Sequence, residues 1–197
     1  MTVAELTDAQ LVLRARRGDR EAFSSLAQRA GGALVGILRR VLGDDDEARD
    51  AAQEALLRAW LRLDTLRDPD QFRPWLHRIA VNLCRDRLRR GARFPHVGLE
   101  TVDLDRGGDT WSGSLDAEVE RRDAAVAVRR ALLRLPLEQR TAIVLREYEG
   151  YTSREIGELT DVPAATVRSR IFHGLRAMRA MLPDHAPGAA PGPGGDA

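Results

Sequence analysis

Apolar residues in this chain recur every three to four positions, and period-two runs of β-branched residues are absent. With Ala, Leu, Arg and Glu dominant, the pattern predicts an all-α protein. A first helix is predicted from about Asp8 to Arg17, ended by Gly18-Asp19. A second begins near Arg20 and carries Phe23, Leu26, Leu34, Ile37, Leu38, Val41 and Leu42. Gly31-Gly32 interrupts it at about 1 kcal/mol per Gly relative to Ala, which leaves open one helix, a kink or two pieces there. A third runs from Asp46 to about Leu63, with Ala52, Leu56, Ala59, Trp60 and Leu63 on one stripe. Asp50, Gln53, Glu54 and Arg58 lie away from its centre. Asp68-Pro69 reads as an N-cap followed by proline, starting a helix that holds Trp75, Leu76, Ile79, Leu83 and Leu88 and ends near Arg90.

Periodicity then fails in a Gly-, Asp- and Ser-rich stretch containing Trp111, and resumes afterwards. The chain therefore divides into a helical unit over 8–92, a flexible linker over 93–116, a second helical unit over 117–182 and a Pro/Gly/Ala tail over 183–197 that cannot bury a core. In the second unit Leu135-Pro136 separates two helices. Thr152-Ser153-Arg154-Glu155 is a capping box, Leu159–Val162 a turn, and Pro163 opens a long basic helix. A short helix, a turn and a basic helix in succession form a helix-turn-helix, whose second helix enters the DNA major groove. At 100° per residue, Val167, Ile171, Leu175, Met178 and Leu182 form the core stripe of that last helix. The opposite arc carries Ser169, Phe172, His173 and Arg176, flanked by Thr166 and Arg168.

Net charge is only +1, but its distribution is uneven. Residues 67–93 are strongly basic, 163–182 carry arginines and no acid, and 43–54 are strongly acidic. Segregated charge of this kind points to different partners at different places. All the cations are arginine, a composition expected from GC-rich coding. One cysteine, Cys84, permits no internal disulfide and fits a reducing compartment. With no signal-like or membrane-length apolar run, the protein is expected to be cytoplasmic, with no membrane insertion. The four histidines are dispersed and no phosphate loop or nucleophile elbow occurs, so no enzyme chemistry, metal or cofactor is expected.

The upstream basic helix, FRPWLHRIAVNLCRDRLRR, combines an aromatic, an amide and a run of arginines. Trp75 fits either a core position or a base-stacking one. Asn82 fits either a base reader or a surface residue. Arg85, Arg87, Arg89 and Arg90 suit a phosphate clamp or a solvated helix end.

Taken together, these strings resemble the bacterial sigma factors of the extracytoplasmic function (ECF) group. ARDAAQEALLRAW resembles their region 2.2, FRPWLHRIAVNLCRDRLRR their regions 2.3 to 2.4, and LPLEQRTAIVLREYEGYTSREIGELTDVPAATVRSRI their region 4. The resemblance implies docking of Asp50, Gln53 and Glu54 on the β′ clamp helices of core RNA polymerase, with the β flap as a further contact. It implies opening of the −10 promoter element by the loop from about Leu63 to Phe72 and by Trp75, Arg78, Asn82, Arg85 and Arg89. It implies duplex −35 reading by Thr166, Arg168, Ser169, Phe172, His173 and Arg176, and leaves room for an anti-sigma factor as partner. The chain departs from the pattern at Arg49, where an acid is common, and at Asp161 and Ala165, where Gly is common. His173 stands where Arg or Lys is common, and a neutral imidazole cannot make the bidentate guanine contact of Arg. The alternative is a two-domain regulator acting on duplex DNA without polymerase, which would need neither the acidic helix nor the Trp-Asn-Arg helix.

Overall fold

The computed structural model describes residues 6–91 and 115–182, with side chains over 6–88 and 122–182. Among the described residues there are eight α-helices and no strand. The first unit consists of α1 (Asp8–Ala15), α2 (Arg20–Leu42), α3 (Asp45–Leu61) and α4 (Phe72–Gly91). The second consists of α5 (Leu115–Leu133), α6 (Leu137–Glu147), α7 (Ser153–Thr160) and α8 (Ala164–Met181). Of the predicted linker, residues 93–114 and with them Trp111 lie outside the described residues, as does the tail. The helix α5 begins two residues before the predicted unit boundary.

Local chemistry sets most boundaries. Asp19 and Asp44 accept the Ala22 and Glu47 amides at 3.0 and 2.7 Å, satisfying orphan donors at the starts of α2 and α3. Gly43 ends α2 in the left-handed region at φ 88°. Asp68 accepts the Asp70 amide and opens a short 3-10 turn, Pro69–Gln71, that leads into α4. The Gly31-Gly32 break does not occur: α2 is one helix. Buried Leu26 and Ala30 before the pair, and Leu34, Ile37, Leu38 and Val41 after it, hold both halves against the same core. That continuous burial offsets the backbone cost of two glycines.

The buried face of α3 is made of alanines: Ala48, Ala51, Ala52, Ala55 and Ala59. Small residues let α2 and α4 approach closely on either side. Leu56 and Trp60, expected in the core, are only half-buried, and the Trp60 ring packs on Phe23 with centroids 4.9 Å apart. In the second unit α8 lies across α6 and α7. The two units are in contact, α4 against α7 and α2 against both α5 and α6.

Candidate nucleic-acid interface

The pair α7 and α8 is set by its turn. Thr152 accepts the Glu155 amide at 3.3 Å, and Glu155 accepts the Thr152 amide at 2.7 Å, so the start of α7 is fully capped. Hydrogen bonds from Thr152 hold the Glu155 carboxyl below its ordinary value. At the other end Asp161 takes φ 59°, ψ 48°, the left-handed conformation that a turn residue other than Gly adopts most readily as Asp or Asn. The turn is so tight that a Cβ on Gly157 would lie 2.6 Å from the Val162 carbonyl oxygen. Pro163 then opens α8, with φ −59°.

Val167, Ile171 and Met178 of α8 are buried, with Gly174 between them, where a Cβ would meet Ile143 of α6 at 2.6 Å. Leu175, placed in the core by its spacing, is instead 43% exposed. The missing side chain at Gly174 draws α6 to that side of α8 and leaves Leu175 on the rim. Arg168, Ser169, Phe172, His173 and Arg176 are exposed together, with Thr166 half-buried beside them. Phe172 is 62% exposed, so no neighbouring helix covers its ring. An aromatic edge, a hydroxyl, an imidazole and guanidinium groups on one open helix face form a chemistry suited to base edges and phosphates.

On α4, Arg78 and Asn82 are exposed and Trp75 is half-buried, its ring 6.3 Å from that of buried Phe72. Arg85 turns away from solvent and donates to the Thr160 carbonyl oxygen of α7 at 3.4 Å. The side chain of Arg89 lies outside the described residues. Arg16 was not singled out by sequence, yet it donates to the carbonyl oxygens of Leu63 and Leu66 and so fastens the loop preceding α4. No sequence signal marks that contact, because its partners are backbone atoms far along the chain.

On α3, Asp50 and Gln53 are exposed, and Leu57 and Leu61 continue the same arc at 58% and 72% exposure. Helical spacing alone would have found these two leucines, since they fall off the alanine stripe. Glu54 is occupied internally, accepting from Arg58 at 2.5 Å and from Arg87 of α4 at 2.9 Å. The Arg87 hydrogen bond, more than any other cause, holds its carboxyl below the ordinary value.

Among the described residues no group of three or more His, Cys, Asp or Glu could hold a metal, and no helix is long and apolar enough to cross a membrane.

Two small helical units, one carrying an exposed acidic and apolar arc, the other ending in an open helix-turn-helix, define a DNA-reading transcription protein. The chain matches the family descriptions Sigma-70 region 2 over residues 26–94 and Sigma-70 region 4 over residues 125–178. It is 35% identical to the RNA polymerase sigma-H factor of Pseudomonas aeruginosa, over 89% of this chain and 93% of that one. It is 32% identical to the ECF RNA polymerase sigma factor SigW of Bacillus subtilis, over 91% and 99%. Among solved structures, CnrH in complex with the cytosolic domain of CnrY is similar at a TM-score of 0.62 and 28% identity, over 88% and 96%. The chain belongs to the ECF group of the sigma-70 family.

Proposed function

We propose that this sigma factor directs core RNA polymerase to its promoters through three surfaces. Asp50 and Gln53, joined by Leu57 and Leu61, dock on the β′ clamp helices, and the second unit contacts the β flap. Trp75, Arg78 and Asn82, with Arg85 and Arg89 further along α4, open the −10 element and hold an unstacked base, whose stacking contacts offset an unpairing cost of a few kcal/mol. Arg168, Ser169, Phe172, His173 and Arg176, flanked by Thr166, read the −35 duplex.

The observation that carries the reading is the open arc of α8 on a capped, sterically fixed turn, with an exposed phenylalanine at its centre. The docking arc on α3 favours this reading over a polymerase-independent regulator, which has no use for it. The protein acts in the cytoplasm as a specificity subunit and not as an enzyme. A further protein partner, in the role an anti-sigma factor would take, is supported by similarity to CnrH, whose structure was solved in complex with the cytosolic domain of CnrY.

Run-off transcription with core polymerase on a genomic fragment library tests the proposal, and it returns the promoter motif as well. Transcripts starting at a shared two-element motif are expected. A chain that neither binds core polymerase nor yields such transcripts would overturn the reading.

A further inference from the structure

The loop between α3 and α4 is tied at both ends to one short helix, α1. The loop starts with a 3-10 turn, Leu63–Thr65, in which the Thr65 amide and hydroxyl donate to the Arg62 carbonyl oxygen at 2.8 and 2.7 Å. Arg16, at the carboxyl end of α1, reaches across to this turn. Its Nε donates to the Leu63 carbonyl oxygen at 3.3 Å, and a terminal nitrogen donates to the Leu66 carbonyl oxygen. At the other end of the loop, Asp8 in the first turn of α1 accepts from Arg73 in the first turn of α4 at 3.1 Å. The second oxygen of Asp8 accepts from Arg29 of α2 at 3.2 Å, so its carboxylate is held from two sides.

The helix α1 is a firm support for these ties. Leu11 and Val12 are fully buried, Ala15 nearly so, and a capping box closes the start. In the loop, Leu63, Leu66 and Phe72 are buried, while Arg67, Asp68, Asp70 and Gln71 between them are exposed. Leu66 is extended, with ψ 111°, so the chain leaves the 3-10 turn at this residue. The Leu63 carbonyl also accepts the Leu66 amide at 3.3 Å, and with Arg16 it has a donor for each lone pair. One planar guanidinium thus fixes two carbonyls three residues apart, and with them the direction in which the chain departs toward Arg67. A lysine ammonium would bring the same charge without the rigid fork.

A site that selects among bases must hold its donors and acceptors within ~0.5 Å of their productive positions. Arg67, Asp70 and Gln71 carry the donors and acceptors that base edges need. Asp68 fixes their local turn, accepting the Asp70 amide at 3.0 Å on its side chain and the Gln71 amide at 3.0 Å on its carbonyl. Where that turn sits relative to Trp75, Arg78 and Asn82 is set by the loop's two ends, and both ends lead to α1.

Resting on the functional reading above, in which this loop and α4 meet the −10 element, we propose that α1 braces the loop and that Arg16 is a positioning residue for base selection. Arg16 acts through the backbone and not on a base. Its fork sets where Arg67, Asp70 and Gln71 stand against the unstacked base. Without it the loop takes several arrangements and accepts wrong bases, while the docking arc of α3 and the −35 arc of α8 are left as they were. Specificity is a difference of affinities, so it falls even where overall binding holds.

The test is transcription by core polymerase with the full chain from two promoter libraries. One is randomised over the −10 element and the other over the −35 element, the remaining element being that returned by the genomic fragments. At its most selective −10 position the wild type should favour one base about tenfold or more, the scale of a single-base discrimination. In Arg16→Lys and Arg16→Ala that ratio should fall to within about twofold, with the −35 ratios unchanged. Arg14→Ala is the control on the same helix: Arg14 pairs with Asp19, 2.6 Å away, and its loss should leave every ratio as in wild type. Asp8→Asn loosens the opposite end of the loop and should lower the −10 ratio severalfold. Thermal melts verify that each variant is folded, and Arg16→Lys, which keeps stem and charge, decides if Arg16→Ala is not. A wild-type −10 ratio in the folded Arg16 variants, or in folded Asp8→Asn, overturns the brace. Loss in Arg16→Ala with retention in Arg16→Lys overturns it as well, because charge alone would then suffice. So does a parallel fall of the −10 and −35 ratios, the mark of general destabilisation. Failure of the functional reading looks different: the wild type itself yields no transcripts, or none with a −10 preference.

Discussion

Glu54 tests whether scaffolding and the proposed docking can be told apart on one helix face. It shares an arc with Asp50 and Gln53, yet its carboxylate is held between Arg58 and Arg87. Replacing it with Gln keeps the shape and removes the charge. The Arg58 pair is an i, i+4 contact worth about 0.3–0.5 kcal/mol. The Arg87 bond ties α3 to α4, and a charged hydrogen bond contributes about 1.5–3 kcal/mol when well sheltered. The Glu54 side chain is 34% exposed, so screening reduces the second figure to about 1 kcal/mol. The Glu54→Gln variant should therefore lose about 1–1.5 kcal/mol, or ~4–10 °C in melting temperature for a unit of this size. Its affinity for core polymerase should hold within about twofold. Asp50→Arg should do the reverse, leaving the melt unchanged and weakening core binding about tenfold or more, as like charges across a docking surface do. The pH dependence carries the same sign. A carboxyl lowered on folding contributes stability that is fully present above its ordinary value of 4.5 and is lost as the pH falls through the lowered one. The gap between wild type and Glu54→Gln should thus close below about pH 4.5. Thermal melts across pH, paired with a core-polymerase binding titration, decide it. If Glu54→Gln lost core affinity with an unchanged melt, the scaffolding account would be wrong.

Three further outcomes follow from the second unit. Phe172→Ala should change stability by less than about 0.5 kcal/mol, since the ring is mostly exposed. It should weaken −35 duplex binding by about 1–3 kcal/mol in a gel-shift assay, and unchanged binding would mean that another face of α8 meets DNA. Gly157→Ala improves helix propensity by up to about 1 kcal/mol, yet should destabilise by about 1–3 kcal/mol because the new Cβ meets backbone that cannot rotate away. A urea melt showing net stabilisation would refute the tight-turn geometry. Asp161→Gly should stabilise by about 0.5 kcal/mol, and Asp161→Val should destabilise by more than about 1 kcal/mol, because only the first relieves a left-handed backbone. Equal melts for both would show that this residue leaves that conformation in solution.

Legibility followed the range of the interaction. Caps and turns were readable because both partners lie within four residues: Thr152 with Glu155, Asp19 with Ala22, and the Asp161 turn beside Pro163. The exposed arc of α8 was readable from spacing, since five polar or aromatic residues fall together whatever α8 packs on. Leu175 was misread because periodicity counts the hydrophobicity that is present, whereas Gly174 orients α8 through a side chain that is missing. The continuity of α2 was left open by the sequence for a related reason. Propensity registers two glycines locally, while the burial that overrides them is collective. The internal pairing of Glu54 was not readable, because nothing near it announces Arg87, more than thirty residues away.

Charge shows the same limit with more consequence for function. Residues 67–93 look like a uniform basic stripe by count, but the structure divides the arginines of α4 among different tasks. Arg73 is paired with Asp8 of α1, Arg87 with Glu54 of α3, and Arg85 is turned onto the carbonyl of Thr160. Arg78 is left on the exposed face beside Asn82. The electrostatic contribution of α4 to single-stranded DNA should therefore be smaller than its formal charge implies. Salt dependence reads this directly, because the slope of log affinity against log salt scales with the number of phosphates neutralised. Arg78→Ala should flatten that slope by about 0.7, the value for one phosphate contact on a single strand, whereas Arg73→Ala should leave it unchanged. An unchanged slope for Arg78→Ala would mean that the exposed face beside Asn82 is not the one that meets the strand.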